Sequence, residues 1–209
     1  MHPALALGVA YVAGSVPSAY LAGRLVKGVD LRTVGSGNLG ATNVYRNLGA
    51  PAAIVVLLAD ALKGGLPVAL LPARLDGVSG GSALWWALAF GVASIAGHAK
   101  PVFLLWKGGG KGVATAAGVF AALAPAALGI SLTAFALVVW RTRIVSAASI
   151  MAAVVLPVAV ALTLGAASPV FAVSLMIGAF VVFTHRANIQ RLRAGTEPRL
   201  GRAAPEASR

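Results

Sequence analysis

The chain has 209 residues, 59% of them hydrophobic and only 11% charged, with no cysteine and a formal net charge of +12. A soluble domain carries roughly 25% charged residues, so this composition excludes the ordinary globular class and makes the bilayer the expected solvent. The missing cysteine excludes disulfides, thiolate nucleophiles and cysteine-based metal sites. A positive charge gathered in loops is a membrane-orientation signal, so no nucleic-acid partner is expected.

Apolar segments occupy residues 3–23, 51–73, 83–98, 113–140, 145–164 and 169–184. The first has no basic region ahead of it and no clear small-residue cleavage site after it, so it reads as a span and not as a removable signal. Next comes the run Gly35-Ser36-Gly37-Asn38-Leu39-Gly40-Ala41-Thr42-Asn43, followed by Arg46. Such a run can turn successive backbone N–H groups toward an anion while Ser, Asn, Thr and Arg side chains add donors. It also suits a flexible loop. It matches G-x-G-x-x-G with Asp60 at about the separation of a dinucleotide site. That reading fails because Asp60 sits inside the apolar segment 51–73, three residues before Lys63, on the same helix face. The pair reads either as mutual neutralisation in the bundle or as the border of an anion site.

The third apolar segment ends at His98. After it, Lys107 and Lys111 bracket Gly108, Gly109 and Gly110 directly before the next apolar stretch. A Walker A loop would need glycine at Leu105 and Ser or Thr at Gly112, so this is no NTPase loop. The physics of a glycine-rich turn at a helix N-terminus still favours an anion.

Val113–Trp140 would run roughly 42 Å as one helix, against a hydrocarbon core of about 30 Å. Pro125 lies near its middle. Basic residues precede it (Lys100, Lys107, Lys111) and follow it (Arg141, Arg143), so positive-inside placement of both groups requires an even number of crossings. Two short spans folded about Pro125 satisfy that. The fold expected is therefore an all-α polytopic membrane bundle of seven transmembrane helices, N-terminus outside and C-terminus cytoplasmic. That topology puts every one of the 17 basic residues except Arg74 and Lys63 on the inner face. Residues 1–195 are expected as a single integral membrane domain and 196–209 as a flexible cytoplasmic tail.

The last inner elements are Arg141-Thr142-Arg143-Ile144-Val145-Ser146 and the run from Thr184 through His185 and Asn188 to Arg191. His185 and Asn188 are spaced to share a helix face. Inner-face carboxylates are limited to Asp30, Glu197 and Glu206. Paired-carboxylate hydrolysis and dimetal phosphoryl transfer both need more, so no metal is expected, and the substrates should bring the negative charge. The residues alone reach an inner-face phosphate-binding membrane protein, either an acyl or alcohol transferase or a transporter of glycerol 3-phosphate or phosphate. A transporter should place polar groups near the midplane, whereas these gather at one surface.

At these residues the chain resembles the acyl-phosphate-dependent glycerol-3-phosphate acyltransferases, the PlsY family. The resemblance rests on Gly14-Ser15-Val16-Pro17 with the GSGNLGATN run and Arg46, on the stretch from Gly97-His98 through Lys107–Thr115, and on the run from His185 to Leu192. Asp60, Lys63 and Gly64 resemble a D-x-x-K-G element of the family's second span. One departure is that three glycines, not two, separate the lysines. The resemblance implies acyl phosphate and glycerol 3-phosphate as substrates, membrane lipid as surroundings, no cofactor, and a site at the cytoplasmic face of the bacterial inner membrane. It implies Ser36, His185 and Asn188 as catalytic residues. Gly37, Asn38, Thr42, Asn43, Arg46, His98, Lys107, Gly108, Gly109, Gly110, Lys111 and Ser146 would bind substrate or phosphate.

Overall fold

The computed structural model describes residues 1–78 and 80–201, and these contain ten α-helices and no strand. In chain order they are α1 (Pro3–Ser15), α2 (Ser18–Lys27), α3 (Ala41–Leu48), α4 (Ala50–Leu70), α5 (Gly81–Ala99), α6 (Val113–Leu123), α7 (Pro125–Thr142), α8 (Val145–Leu164), α9 (Pro169–Thr184) and α10 (Arg186–Arg193). Among the described residues five stretches are long and apolar enough to cross a membrane: Pro3–Lys27, Ala50–Leu70, Gly81–Leu104, Pro125–Thr142 and Val145–Leu164. A sixth arises if α9 and α10, bent by 58°, are counted together. The stretch 113–140 does break at Pro125. The resulting α6 has 11 residues, roughly 16 Å of helix, about half a hydrocarbon core.

Where one domain is expected over 1–195, the chain divides into two compact units, Met1–Pro125 and Ala126–Arg209. In the first unit the helices approach backbone to backbone through small residues. A Cβ on Gly118 would fall on the Ala61 carbonyl, one on Gly64 on the Thr115 carbonyl, and one on Gly14 on the Ser94 backbone. Thus α4 packs on α6 and α1 on α5 by the close contact that small residues permit inside a bilayer, where burying apolar area offers little gain. In the second unit α8 packs on α9 in the same way, with Gly178 against the Ala153 carbonyl.

The first apolar segment is not one continuous helix. Pro17 has no N–H to donate, α1 ends at Ser15, and at the break the Val16 carbonyl accepts the Ser18 N–H at 3.0 Å and Lys63 Nζ at 2.8 Å. A helix break at membrane depth needs such a partner. α2 then ends on Gly28, whose φ of +67° closes a left-handed cap with N–H bonds back to Arg24 and Gly23.

Candidate active site

The first glycine-rich loop is built around Asn43. This α3 residue is buried, and its Oδ1 accepts the Ser36 N–H at 3.1 Å and Asn47 Nδ2 at 3.1 Å. Its Nδ2 donates to the carbonyls of Leu31 (3.1 Å) and Val34 (3.2 Å). An amide side chain offers two donors and two acceptor sites, and all four are used. Asn43, expected on phosphate, here shapes the loop that presents Ser36. Gly35 must be glycine twice over, since its φ is +61° and a Cβ would fall on Asn43 Oδ1.

The second glycine-rich turn lies against the first. Leu39 N–H donates to the Gly109 carbonyl at 3.3 Å, and an Arg32 guanidinium nitrogen donates to the Lys107 carbonyl at 3.3 Å. Arg32 is itself oriented by Asp30, at 2.7 Å, and stacks 5.2 Å from the Tyr20 ring centroid. Hydrogen bonding from the Arg32 side chain holds the Asp30 carboxyl at about 2, well below its ordinary value. Ahead of the turn, Leu105 and Trp106 both adopt positive φ, 51° and 58°. Two adjacent non-glycine residues in that region are strained, and Trp106 is held by a bond from its indole N–H to the Tyr11 hydroxyl at 2.8 Å. After the turn, Gly112 caps α6 at φ +84°, so the first N–H groups of α6 follow directly on Lys111.

Beneath this turn lies a buried polar group. Asp60 Oδ1 accepts Ser18 Oγ at 2.9 Å and pairs with Lys63 Nζ at 2.7 Å. His98 Nδ1 lies 3.8 Å from the same oxygen, too far for a hydrogen bond. The His98 carbonyl accepts the Gly110 N–H at 3.1 Å, and a Cβ on Gly110 would fall on the imidazole itself. His98, expected on the anion, is thus 6% exposed and forms a floor under the turn. A cavity of about 10 Å³ is lined by Asp60, Lys63, His98, Gly109 and Gly110, room for about one water.

In the second unit a different set converges. Glu197 Oε1 accepts Ser146 Oγ at 2.7 Å and Asn188 Nδ2 at 2.6 Å, and its Oε2 accepts Arg191 Nε at 2.7 Å. Burial pushes the Glu197 carboxyl up, but the bonds from Ser146, Asn188 and Arg191 outweigh it and hold it below its ordinary value. The tail expected to be mobile from residue 196 is therefore seated at its start, while residues 202–209 lie outside the described residues. His185 stands at the bend between α9 and α10, 3% exposed, with Nδ1 2.7 Å from the Val181 carbonyl. A carbonyl can only accept, so Nδ1 carries a proton and a neutral ring has its lone pair on Nε2.

Of the expected residues, the first unit brings together the loop bearing Ser36, Gly37 and Asn38 and the turn bearing Lys107, Gly108, Gly109, Gly110 and Lys111. Thr42 and Arg46 flank the loop on α3, with Arg46 exposed in its last turn. The second unit brings Ser146 and Asn188 onto one carboxylate. Sequence reasoning left out Ser18, Arg32 and Glu197. Glu197 had a signal, as an acid in a basic tail; Arg32 had a weaker one in its spacing from Asp30.

Residues 4–195 match the family described as Glycerol-3-phosphate acyltransferase. Curated relatives of that name include one from Synechococcus sp. (strain CC9902), 48% identical over 94% of this chain and 94% of its own length. Another, from Geobacter sulfurreducens, is 45% identical over 91% of this chain and 94% of its own. Among solved structures, PlsY (YgiH), an integral membrane glycerol 3-phosphate acyltransferase in its glycerol 3-phosphate form, superposes with a TM-score of 0.85 at 38% identity, covering 95% of this chain and 96% of that one. Its lysophosphatidic acid form gives 0.81 at 36% identity, covering 95% of each chain. Over nearly its whole length, in sequence and in helical architecture alike, the chain belongs to the glycerol-3-phosphate acyltransferase family.

Proposed function

We propose that this membrane acyltransferase moves a fatty acyl group from acyl phosphate directly onto the 1-hydroxyl of glycerol 3-phosphate, giving 1-acylglycerol 3-phosphate and phosphate. The observation that carries the reading is the junction of the two glycine-rich turns through Leu39–Gly109 and Arg32–Lys107. It brings the Ser36 loop beside Lys107, Lys111 and the N-terminus of α6, where charge and helix dipole both favour an anion.

Acyl phosphate is a mixed anhydride with a good leaving group, so the chemistry needs no acyl-enzyme. The hydroxyl oxygen attacks the carbonyl carbon, a new C–O ester bond forms, and the bond from that carbon to the phosphate oxygen breaks with phosphate taking the electron pair. Lys107, Lys111 and Arg46 screen the repulsion between two phosphates as they approach, which is the principal demand on the protein. Ser36 and neighbouring N–H groups hold the donor or the developing oxyanion. The hydroxyl proton goes to a general base, either His185 or an oxygen of a bound phosphate. Ser146 and Asn188 are assigned to substrate on the strength of the family resemblance.

Seven crossings with the N-terminus outside and the C-terminus cytoplasmic are supported by the basic residues of the loops. They are the five long stretches, α6, and the bent pair α9–α10. This puts the work at the cytoplasmic face of the inner membrane.

Purified protein in detergent, given acyl phosphate and glycerol 3-phosphate, should release lysophosphatidate and phosphate in equal amounts and make no product from acyl-CoA. Arg46→Ala and Lys111→Ala should each raise KM for a phosphate substrate and lower kcat, because charge screening persists into the transition state. Unchanged kinetics in both variants would remove them from the site. A radiolabelled acyl group recovered on Ser36 would exclude direct attack.

A further inference from the structure

The second unit holds a concavity that acyl transfer, as derived above, does not use. It has a volume of about 190 Å³ and is lined by Arg141, Thr142, Arg143, Arg199 and Leu200. All three arginines are exposed. Among the described residues no carboxylate lies within ion-pair distance of any of them, the salt bridge of this unit being Arg191 with Glu197.

The backbone holds these charges together. Arg143 adopts a φ of 59°, uncommon for a residue with a Cβ, and its carbonyl accepts the Leu200 N–H at 2.7 Å. That bond fastens the segment after α10 to the turn between α7 and α8, and so brings Arg199 to the same void as Arg141 and Arg143. The C-terminal end of α7 carries the equivalent of about half a negative charge. Three guanidinium groups exceed that several times over, so the void is left strongly positive and suited to the forked, bidentate donation that phosphate oxygens accept.

Helix α7 says which phosphate. It buries only Ala127 and Ser131 along its length, and Leu137 and Trp140 are 58% and 80% exposed. A tryptophan at the end of an apolar span is an interface position. Hydrocarbon therefore reaches the rim of the concavity, and the anion placed there carries acyl chains. We propose that Arg141, Arg143 and Arg199 form a binding site for the phosphate headgroup of an anionic glycerophospholipid of the surrounding membrane.

The test uses the full chain, delipidated in detergent and offered phosphatidylglycerol or phosphatidylcholine, with bound lipid counted by native mass spectrometry. The wild type should retain phosphatidylglycerol preferentially. The triple variant Arg141→Gln/Arg143→Gln/Arg199→Gln should lose that preference by roughly tenfold or more, Arg199→Gln alone by less, and the triple lysine variant should keep most of it. Should the triple glutamine variant fail to fold, Arg199→Gln decides, since its residue lies in an exposed segment. Retention of phosphatidylglycerol at the wild-type level in the glutamine variants would overturn the proposal. So would displacement of the lipid by millimolar inorganic phosphate, which would make this a site for free phosphate.

Discussion

At the scale of single residues, the pair Asp60–Lys63 shows how a charge is kept inside an apolar span. Both side chains are buried, at 2% and 8% exposure, and each has a second partner, Ser18 for the carboxylate and the Val16 carbonyl for the ammonium. Removing one member of a buried pair costs about 3–5 kcal/mol, whereas removing both is far cheaper. Lys63→Met should therefore lower Tm sharply, and Asp60→Asn/Lys63→Met should recover most of the loss. A double variant as unstable as the sum of its single variants would refute the pairing. Asn43 belongs to the same class of residue. Asn43→Ala removes four hydrogen bonds worth about 1 kcal/mol each, so it should destabilise by about 2–4 kcal/mol, and an effect on KM with Tm unchanged would return Asn43 to the phosphate. The i,i+3 spacing made Asp60 and Lys63 legible as a pair from the sequence. Ser18, 42 residues away along the chain, was not legible, because nothing local marks a partner brought in by tertiary packing.

At the scale of elements, glycine decides how closely helices approach. A Cβ on Gly118 meets the Ala61 backbone carbonyl, which cannot swing aside as a flexible side chain would. Gly118→Val should push α6 from α4 at a cost of about 1–3 kcal/mol or more. Because α6 starts at the lysine–glycine turn, kcat should fall with Tm. Gly129→Ala in α7, whose Cβ meets nothing within 4 Å, is the control and should be neutral or slightly stabilising. Equal effects of the two would refute the close-packing account.

The segment after α10 is held by Glu197, whose folded carboxyl lies below its ordinary value of 4.5. Its contribution is complete above that value and is lost as pH falls through the folded one. The wild type should accordingly lose Tm on acidification below about 4.5. Glu197→Gln should start lower at neutral pH and show a flatter acid limb, and identical curves for the two proteins would sink the assignment. Among the elements, the break at Pro125 was legible because basic loops on both sides demanded an even number of crossings. The break at Pro17 was not, since both halves of Pro3–Lys27 pass as one apolar run and the Lys63 that bonds the Val16 carbonyl at the break comes from another helix. The short helices α3 and α10 were read as loop or as continuation, being polar and only eight residues each.

At the scale of the whole molecule, the open quantity is the number of crossings. Length and composition alone count five stretches, or six with the bent pair, and the difference from seven rests on α6. At roughly 16 Å, α6 spans the hydrocarbon only if the bilayer thins or its neighbours supply the remaining depth. The positive-inside signal requires the crossing nonetheless: without it, the turn with Lys107 and Lys111 and the turn with Arg141 and Arg143 fall on opposite sides. The two arrangements give opposite labels at the turn between α8 and α9. The chain has no cysteine, so single cysteines can be introduced without background. Ala166→Cys should react with a membrane-impermeant maleimide in intact spheroplasts, whereas Thr33→Cys and Ala194→Cys should react only after permeabilisation. If Thr33→Cys stays protected while Ala166→Cys does too, α6 does not cross, the second unit is inverted in the membrane, and its basic residues lie on the outer face.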